Sequence, residues 1–298
     1  MKWEESRQSD NIEDRRGDTQ YADAGGGGGS SGHLGLGAMV ILGLLGYAFG
    51  IDPRLLIGGA EMVSKMTGGG QQQQQVARPG EVGAPKDQIG RFVASILAEN
   101  EDVWSDILPA QTGVKFKPAP IVLFNGVTSS GCGTAQSAMG PFYCPIDGKI
   151  YLDTSFFADM KNKFGGGGDF AYAYVISHDM GHHIQDLLGI LPKAQAAQKN
   201  ASSKAQANAI SVRIELQADC FAGVWAANAN QKWQLIEPGD VEKAIATAQA
   251  IGDDRLQKSS RGFAVPDSFT HGSSAQRVQW LETGLQSGKV SSCNTFAN

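Results

Sequence analysis

The chain is poor in histidine and cysteine and has no excess of basic residues. Its 298 residues carry 25 lysines and arginines against 30 aspartates and glutamates, a net charge of −5, so the cationic footprint that grips a nucleic-acid backbone is missing. No nucleic-acid partner is expected. There is no Gly-x-Ser-x-Gly nucleophile elbow, and the glycine run at 165–168 is not followed by the Lys-Ser/Thr of a phosphate loop. That run reads as a hinge or lead-in. Solenoid-length repeats are absent as well. With 41% hydrophobic and 18% charged residues, the chain is nevertheless too apolar to be disordered throughout. Glycine is the one abundance: 39 residues, clustered in runs that suit linkers and loops and not a collagen repeat.

Long apolar runs are also lacking, with a single exception. Leu34 to Ile51 carries no charge, and at ~1.5 Å per residue it nearly spans a ~30 Å hydrocarbon core. Glycines at 35, 37, 43, 46 and 50 weaken a soluble helix there and are tolerated in bilayers. The run begins behind a polar, acidic stretch and no A-x-A-like site follows it, which favours an uncleaved anchor over a signal peptide. Arg15 and Arg16 before it balance Arg54 and Lys65 after it, so charge does not orient it. Cysteine does more. Cys132, Cys144, Cys220 and Cys293 all follow the anchor, and their even number permits two disulfides and an oxidising, extracytoplasmic setting. Cys132–Cys144 with Cys220–Cys293 is the preferred pairing among those allowed.

The expected organisation is a disordered polar tail over 1–33, a single transmembrane anchor over 34–58, a flexible Gly/Gln/Pro linker over 59–85 and one folded domain over 86–298. Within that domain, Ile89, Phe92, Val93, Ile96 and Leu97 form the stripe of an amphipathic helix over 87–108. PIVLF at 120–124 and KIYL at 149–152 read as strands. Further helices are expected at 170–188, with Asp169 as cap and Gly189 as stop, and at 204–228, 240–251 and 275–285. Helices with a small sheet indicate an α+β fold.

Three of the five histidines are His178, His182 and His183, inside VISHDMGHHIQDLLG. Residues four apart share a helix face, so His178 and His182 can converge on one Zn²⁺, whereas His183 is turned about 100° away. A zinc site needs a third protein ligand and an open position for water. RIELQADCFAGVWA offers Glu215 to the metal, with Asp219 one turn on to orient a ligand imidazole. Its apolar neighbours suggest burial, and buried carboxylates need partners. Arg277 could be such a partner or face solvent.

The opening MKWEESRQSDNIEDRRG, the single apolar span, AYVISHDMGHHIQDLLG, ELQADCFAGVWA and DSFTHGSSAQRVQWL together resemble the bacterial neutral zinc metallopeptidases, membrane-anchored zincins of the gluzincin kind. Metzincins are excluded, because Gln185 and Leu188 stand at the last two positions of their longer motif. The resemblance implies a mostly helical zincin-like metalloprotease domain in a bacterial cell membrane, hydrolysing peptide or protein substrates. It implies Zn²⁺ on His178, His182 and Glu215, with Asp219 as the orienting carboxylate and His271 close to the metal, where His271 either donates to the tetrahedral oxyanion or merely packs at a helix start beside Ser273 and Ser274. One position departs from the family. Asp179 stands where H-E-x-x-H has glutamate, so the general base is one methylene short. Either a weakened peptidase or a zinc-binding pseudoprotease acting as a scaffold for envelope proteins or peptides follows.

Overall fold

The computed structural model describes residues 1–18, 80–163 and 167–297. Strands β1 (Ile12–Asp14), β2 (Glu81–Val82), β3 (Ile121–Phe124), β6 (Phe142–Cys144) and β7 (Lys149–Asp153) form one sheet in the order β2-β1-β3-β7-β6. β1, β3 and β7 run parallel, with Ile121 opposite both Ile12 and Ile150, and the edge strands β2 and β6 are antiparallel. A separate hairpin joins β4 (Val127–Ser130) to β5 (Gly133–Gln136).

IVLF reads as a continuous apolar run because both sheet faces are covered. Side chains alternate between faces: Ile121 and Leu123 enter the main core beneath the helices, while Val122 and Phe124 meet Ala135, Cys144 and Tyr151 on the other side. That second cluster is small. The Cys132–Cys144 disulfide ties the hairpin turn across it to β6, a cross-link of the kind small cores need.

Helix α1 (Gln88–Thr112) begins where the Asp87 side chain accepts from Gly90 N and ends at Gly113 in the left-handed region. Phe92, Val93, Ile96 and Leu97 are buried, but Ile89 lies in the first turn at the rim and is exposed. α2 (Ser155–Lys163) follows β7. α3 (Asp169–Leu187) is capped by Gly168, not by the Asp169 side chain, which accepts a 2.9 Å hydrogen bond from Trp3 Nε1 instead. Gly189 does stop it, in the left-handed region. After α4 (Ile190–Lys199), α5 (Lys204–Trp233) runs for 30 residues, five beyond the expected end. α6 (Asp240–Ala250), α7 (Asp253–Arg261) and α8 (Ser274–Ser287) complete the helices of the described residues. α8 lies along α5, where Gly223 and Gly284 face each other's helix backbone too closely for a Cβ on either. The Cys220–Cys293 disulfide pins the chain end to the same helix.

Residues 1–18 correct the expected disordered tail. Trp3 and Ile12 are buried, Trp3 packs edge-on against Phe92 at 5.3 Å, and the Met1 amino group pairs with Glu237 at 2.7 Å and Asp240 at 2.8 Å. The charge-rich composition conceals a few apolar side chains that complete a core built elsewhere. The folded unit is therefore not confined to 86–298.

The expected anchor over 34–58, with most of the linker, lies outside the described residues. Among the described residues no helix is long and apolar enough to cross a membrane. The sheet adds a constraint. β1 precedes and β2 follows that part of the chain, yet Glu13 pairs with Val82 and Asp14 with Glu81. The two flanks of that segment therefore meet in one sheet.

Candidate metal centre

His178 and His182, one turn apart on α3, face Glu215 on α5. One ligand atom from each of the three lies within 4.8 Å of the others. His178 Nε2 is 3.1 Å and His182 Nε2 3.6 Å from Glu215 Oε2, and the two rings meet edge to face at 4.8 Å. Gly181 between them lets the helices close up, since a Cβ there would stand 3.0 Å from the Ala218 carbonyl oxygen on α5.

Each imidazole is held from behind through Nδ1. His178 Nδ1 lies 2.9 Å from Asp219 Oδ1, and His182 Nδ1 lies 2.9 Å from Gln185 Oε1. Asp219 is wholly buried and also accepts from Tyr174 Oη at 2.6 Å and from Arg277 Nε and Nη2 at 2.9 Å each. Burial alone would raise the Asp219 carboxyl; Arg277, then His178, hold it down at about 2. Burial likewise opposes charge on His178, yet Asp219 and Glu215 push it up to about 9. Glu215 is held well below the usual carboxylate range against burial, first by His182 and then by His271.

Asp179 is 3% exposed, and its Oδ2 has no hydrogen-bond partner among the described residues. Burial pushes its carboxyl up to about 6, with His178 and His182 opposing. His271 sits on the loop before α8. Backbone N–H groups of Thr270, His271 and Gly272 all donate to Asp253 Oδ2, at 2.7, 2.6 and 3.0 Å, and His271 Nδ1 is 3.6 Å from Asp253 Oδ1. His183 stands apart from this group. It is buried between the Lys117 carbonyl, 2.6 Å from Nε2, and Tyr143 Oη, 3.1 Å from Nδ1.

The expected ligands, with Asp179 and Asp219, thus gather where α3 and α5 meet, and His271 lies on the loop before α8, while His183 stands apart as its position on the helix predicts. The expected disulfides, Cys132–Cys144 and Cys220–Cys293, are both formed. Sequence reasoning missed Tyr174, Gln185 and Asp253, and left Arg277 open. The signal for Arg277 was the unmatched charge of a buried Asp219; the signal for Tyr174 was its place one turn before His178.

Two imidazole Nε2 atoms turned toward one ionised carboxylate suit Zn²⁺, which displaces their protons, takes nitrogen and oxygen donors at ~2.0–2.2 Å and keeps a fourth position open in catalytic sites. Nδ1 bonds to Asp219 and Gln185 set each ring in the tautomer whose Nε2 can coordinate.

A family model described as "Putative neutral zinc metallopeptidase" matches residues 1–296. The chain is 46% identical over 298 residues to the uncharacterized protein YpfJ of Escherichia coli K12, covering 99% of both chains. It is 43% identical over 205 residues to the uncharacterized protein Rv2575 of Mycobacterium tuberculosis H37Rv, covering 65% of this chain and 66% of that one. No solved structure matches it.

Proposed function

The chain belongs to the neutral zinc metallopeptidase family, which implies a Zn²⁺ cofactor, and from that premise we propose that it is a zinc metalloendopeptidase of the zincin kind, weakened at its general base. The convergence of His178, His182 and Glu215 carries this reading. Zinc, when bound there, supplies the Lewis acidity that polarises a peptide carbonyl and makes water a nucleophile near neutral pH.

The chain's own residues supply the rest. His178, His182 and Glu215 hold the ion, and Asp219, neutralised by Arg277, fixes the His178 ring. Asp179 takes the proton of the attacking water and carries it to the leaving amine. His271, braced by Asp253, donates to the oxyanion that develops on the scissile carbonyl.

A second reading has a specific observation behind it. Asp179 is one methylene shorter than glutamate and almost wholly buried, and a misplacement near 1 Å can cost on the order of 10²-fold in rate. A zinc-binding pseudoprotease that presents peptides or envelope proteins would look the same around the ligands. Hydrolysis of a mixed peptide library by the full chain and by Asp179→Glu, with zinc content determined, separates them. We expect chelator-sensitive cleavage by the parent and about 10²-fold faster cleavage by the variant. A zinc-loaded parent that cleaves nothing, beside an active variant, would leave the scaffold reading in its place.

We assign the folded unit to the extracytoplasmic side of a bacterial cell membrane, because paired disulfides persist in oxidising compartments. Exposed single cysteines at Glu5 and Ser291 test both this and the meeting of the two flanks in one sheet. Glu5→Cys and Ser291→Cys should each react with an impermeant maleimide on intact cells, and protection of either alone would contradict the assignment.

A further inference from the structure

Behind His182 lies a directional chain of side-chain amides whose far end is the disulfide-bonded Cys293. Gln185 and Gln217 are both buried, at 0% and 4% exposure. Gln217 Nε2 donates to the Cys293 carbonyl at 2.8 Å, Gln185 Nε2 donates to Gln217 Oε1 at 3.1 Å and to the Ile214 carbonyl at 2.7 Å, and Gln185 Oε1 faces His182 Nδ1 at 2.9 Å.

An amide can be turned end for end, but here its direction is forced. Backbone carbonyls only accept, so the Cys293 carbonyl requires the NH₂ of Gln217 and the Ile214 carbonyl requires the NH₂ of Gln185. The carbonyl end of Gln185 is left toward His182. That oxygen also only accepts, so His182 Nδ1 must be the donor, and Nε2 is the nitrogen turned toward Glu215 and free to coordinate whenever the ring is neutral.

The chain ties three parts together. Gln185 lies on α3, one turn beyond His182. Ile214, whose carbonyl it clasps, precedes the Glu215 ligand on α5. Cys293 lies in the final turn and is held against α5 by its bond to Cys220. We propose that the Gln185–Gln217 relay is the positioning device for His182 as a metal ligand, and that the Cys220–Cys293 disulfide holds the Cys293 carbonyl in place at its far end, so zinc affinity depends on a disulfide that touches no ligand. This inference rests on the metal reading of the site.

The test uses the full-length chain with ¹⁵N-labelled histidine, first metal-free and then titrated with zinc against a chelator. In the metal-free parent, at a pH where the imidazole is neutral, His182 should be the Nδ1–H tautomer. Gln185→Leu should lose that bias and weaken zinc about 10- to 100-fold, the usual effect of losing an orienting partner. Gln217→Leu should shift both readouts the same way but less, and the Cys220→Ser/Cys293→Ser double variant less again. A merely structural amide pair would lower the melting temperature without moving the tautomer. Folded Gln185→Leu with an unchanged His182 tautomer and zinc affinity within twofold of the parent overturns the proposal. If Gln185→Leu does not fold, the same null result in Gln217→Leu overturns it. A parent that binds no zinc while His182 holds the Nδ1–H form sinks the metal reading and leaves the relay standing.

Discussion

Behind His178 stand charges: the carboxylate of Asp219, the guanidinium of Arg277 gripping it with two nitrogens, and the Tyr174 hydroxyl. Behind His182 stand only amides and backbone carbonyls, ending at Cys293. Both arrangements give an imidazole the same tautomer, but they fail differently. Removing one member of a buried ion pair strands a charge in low dielectric, whereas removing one amide strands dipoles. The charged side is therefore the more brittle, and the neutral side is the one whose strength can be tuned from a distance.

The sharpest way to break this contrast is Arg277→Leu, which leaves Asp219 buried without its cation and should destabilise the fold by about 3–5 kcal/mol, read by denaturant unfolding. Arg277→Lys should recover only part of that, because an ammonium cannot make the two-nitrogen contact. A loss of no more than an ordinary surface substitution would mean that Asp219 is not held as the geometry indicates.

Next in size is the Cys220→Ser/Cys293→Ser variant. Its loop spans 73 residues against 12 for Cys132–Cys144, so its stability loss should be the larger of the two, about 2–4 kcal/mol. Zinc affinity should fall with the first pair and stay unchanged in Cys132→Ser/Cys144→Ser, which staples the hairpin to the sheet face turned away from the main core. Equal effects on zinc would erase the distinction.

The smallest effect lies further back on the charged side. Asn100 donates to Ser177 Oγ at 3.0 Å, directly before His178, and its neighbour Glu99 is buried, accepting from Ser6 Oγ at 2.6 Å. Burial, opposed by Ser6, lifts the Glu99 carboxyl from 4.5 to about 7. A raised carboxyl means the folded state favours the proton. Its contribution is full below the unfolded value and is lost as pH rises through about 7, so stability should fall across that window. Glu99→Gln should remove about 1–3 kcal/mol of that decline; what is left comes from Asp179 and His178, both raised and of the same sign, and from His183, lowered and of the opposite sign. Melting curves at pH 4.5 and 7.5 that differ as much in the variant as in the parent would show that Glu99 does not titrate there.

Much of this centre was legible because helical spacing is a short-range rule. His178 and His182 had to share a face, Glu215 and Asp219 had to share another, and burial of the second pair demanded partners. Arg277 could not be chosen over solvent from sequence, because nothing local says which way α8 turns. Gln185 looked like any polar residue in a helix. Its role depends on Ile214 and Gln217 arriving from another element. The opening residues were misread for the same reason: their composition is that of a solvated tail, and only the packing of Trp3 on Phe92 and of β1 against β3 reveals a sheet strand.

The sequence alone determined the ligand types, their spacing within each helix, the cysteine inventory and the shortened base at Asp179, since each is fixed by covalent order and the 3.6-residue turn. Tertiary structure decided which carboxylate meets which ring, which cation neutralises Asp219, and that both flanks of the apolar run meet in one sheet. Those choices are made by contacts between residues distant in the chain. Their strength comes from burial, and burial exists only once the helices and the sheet have closed on one another.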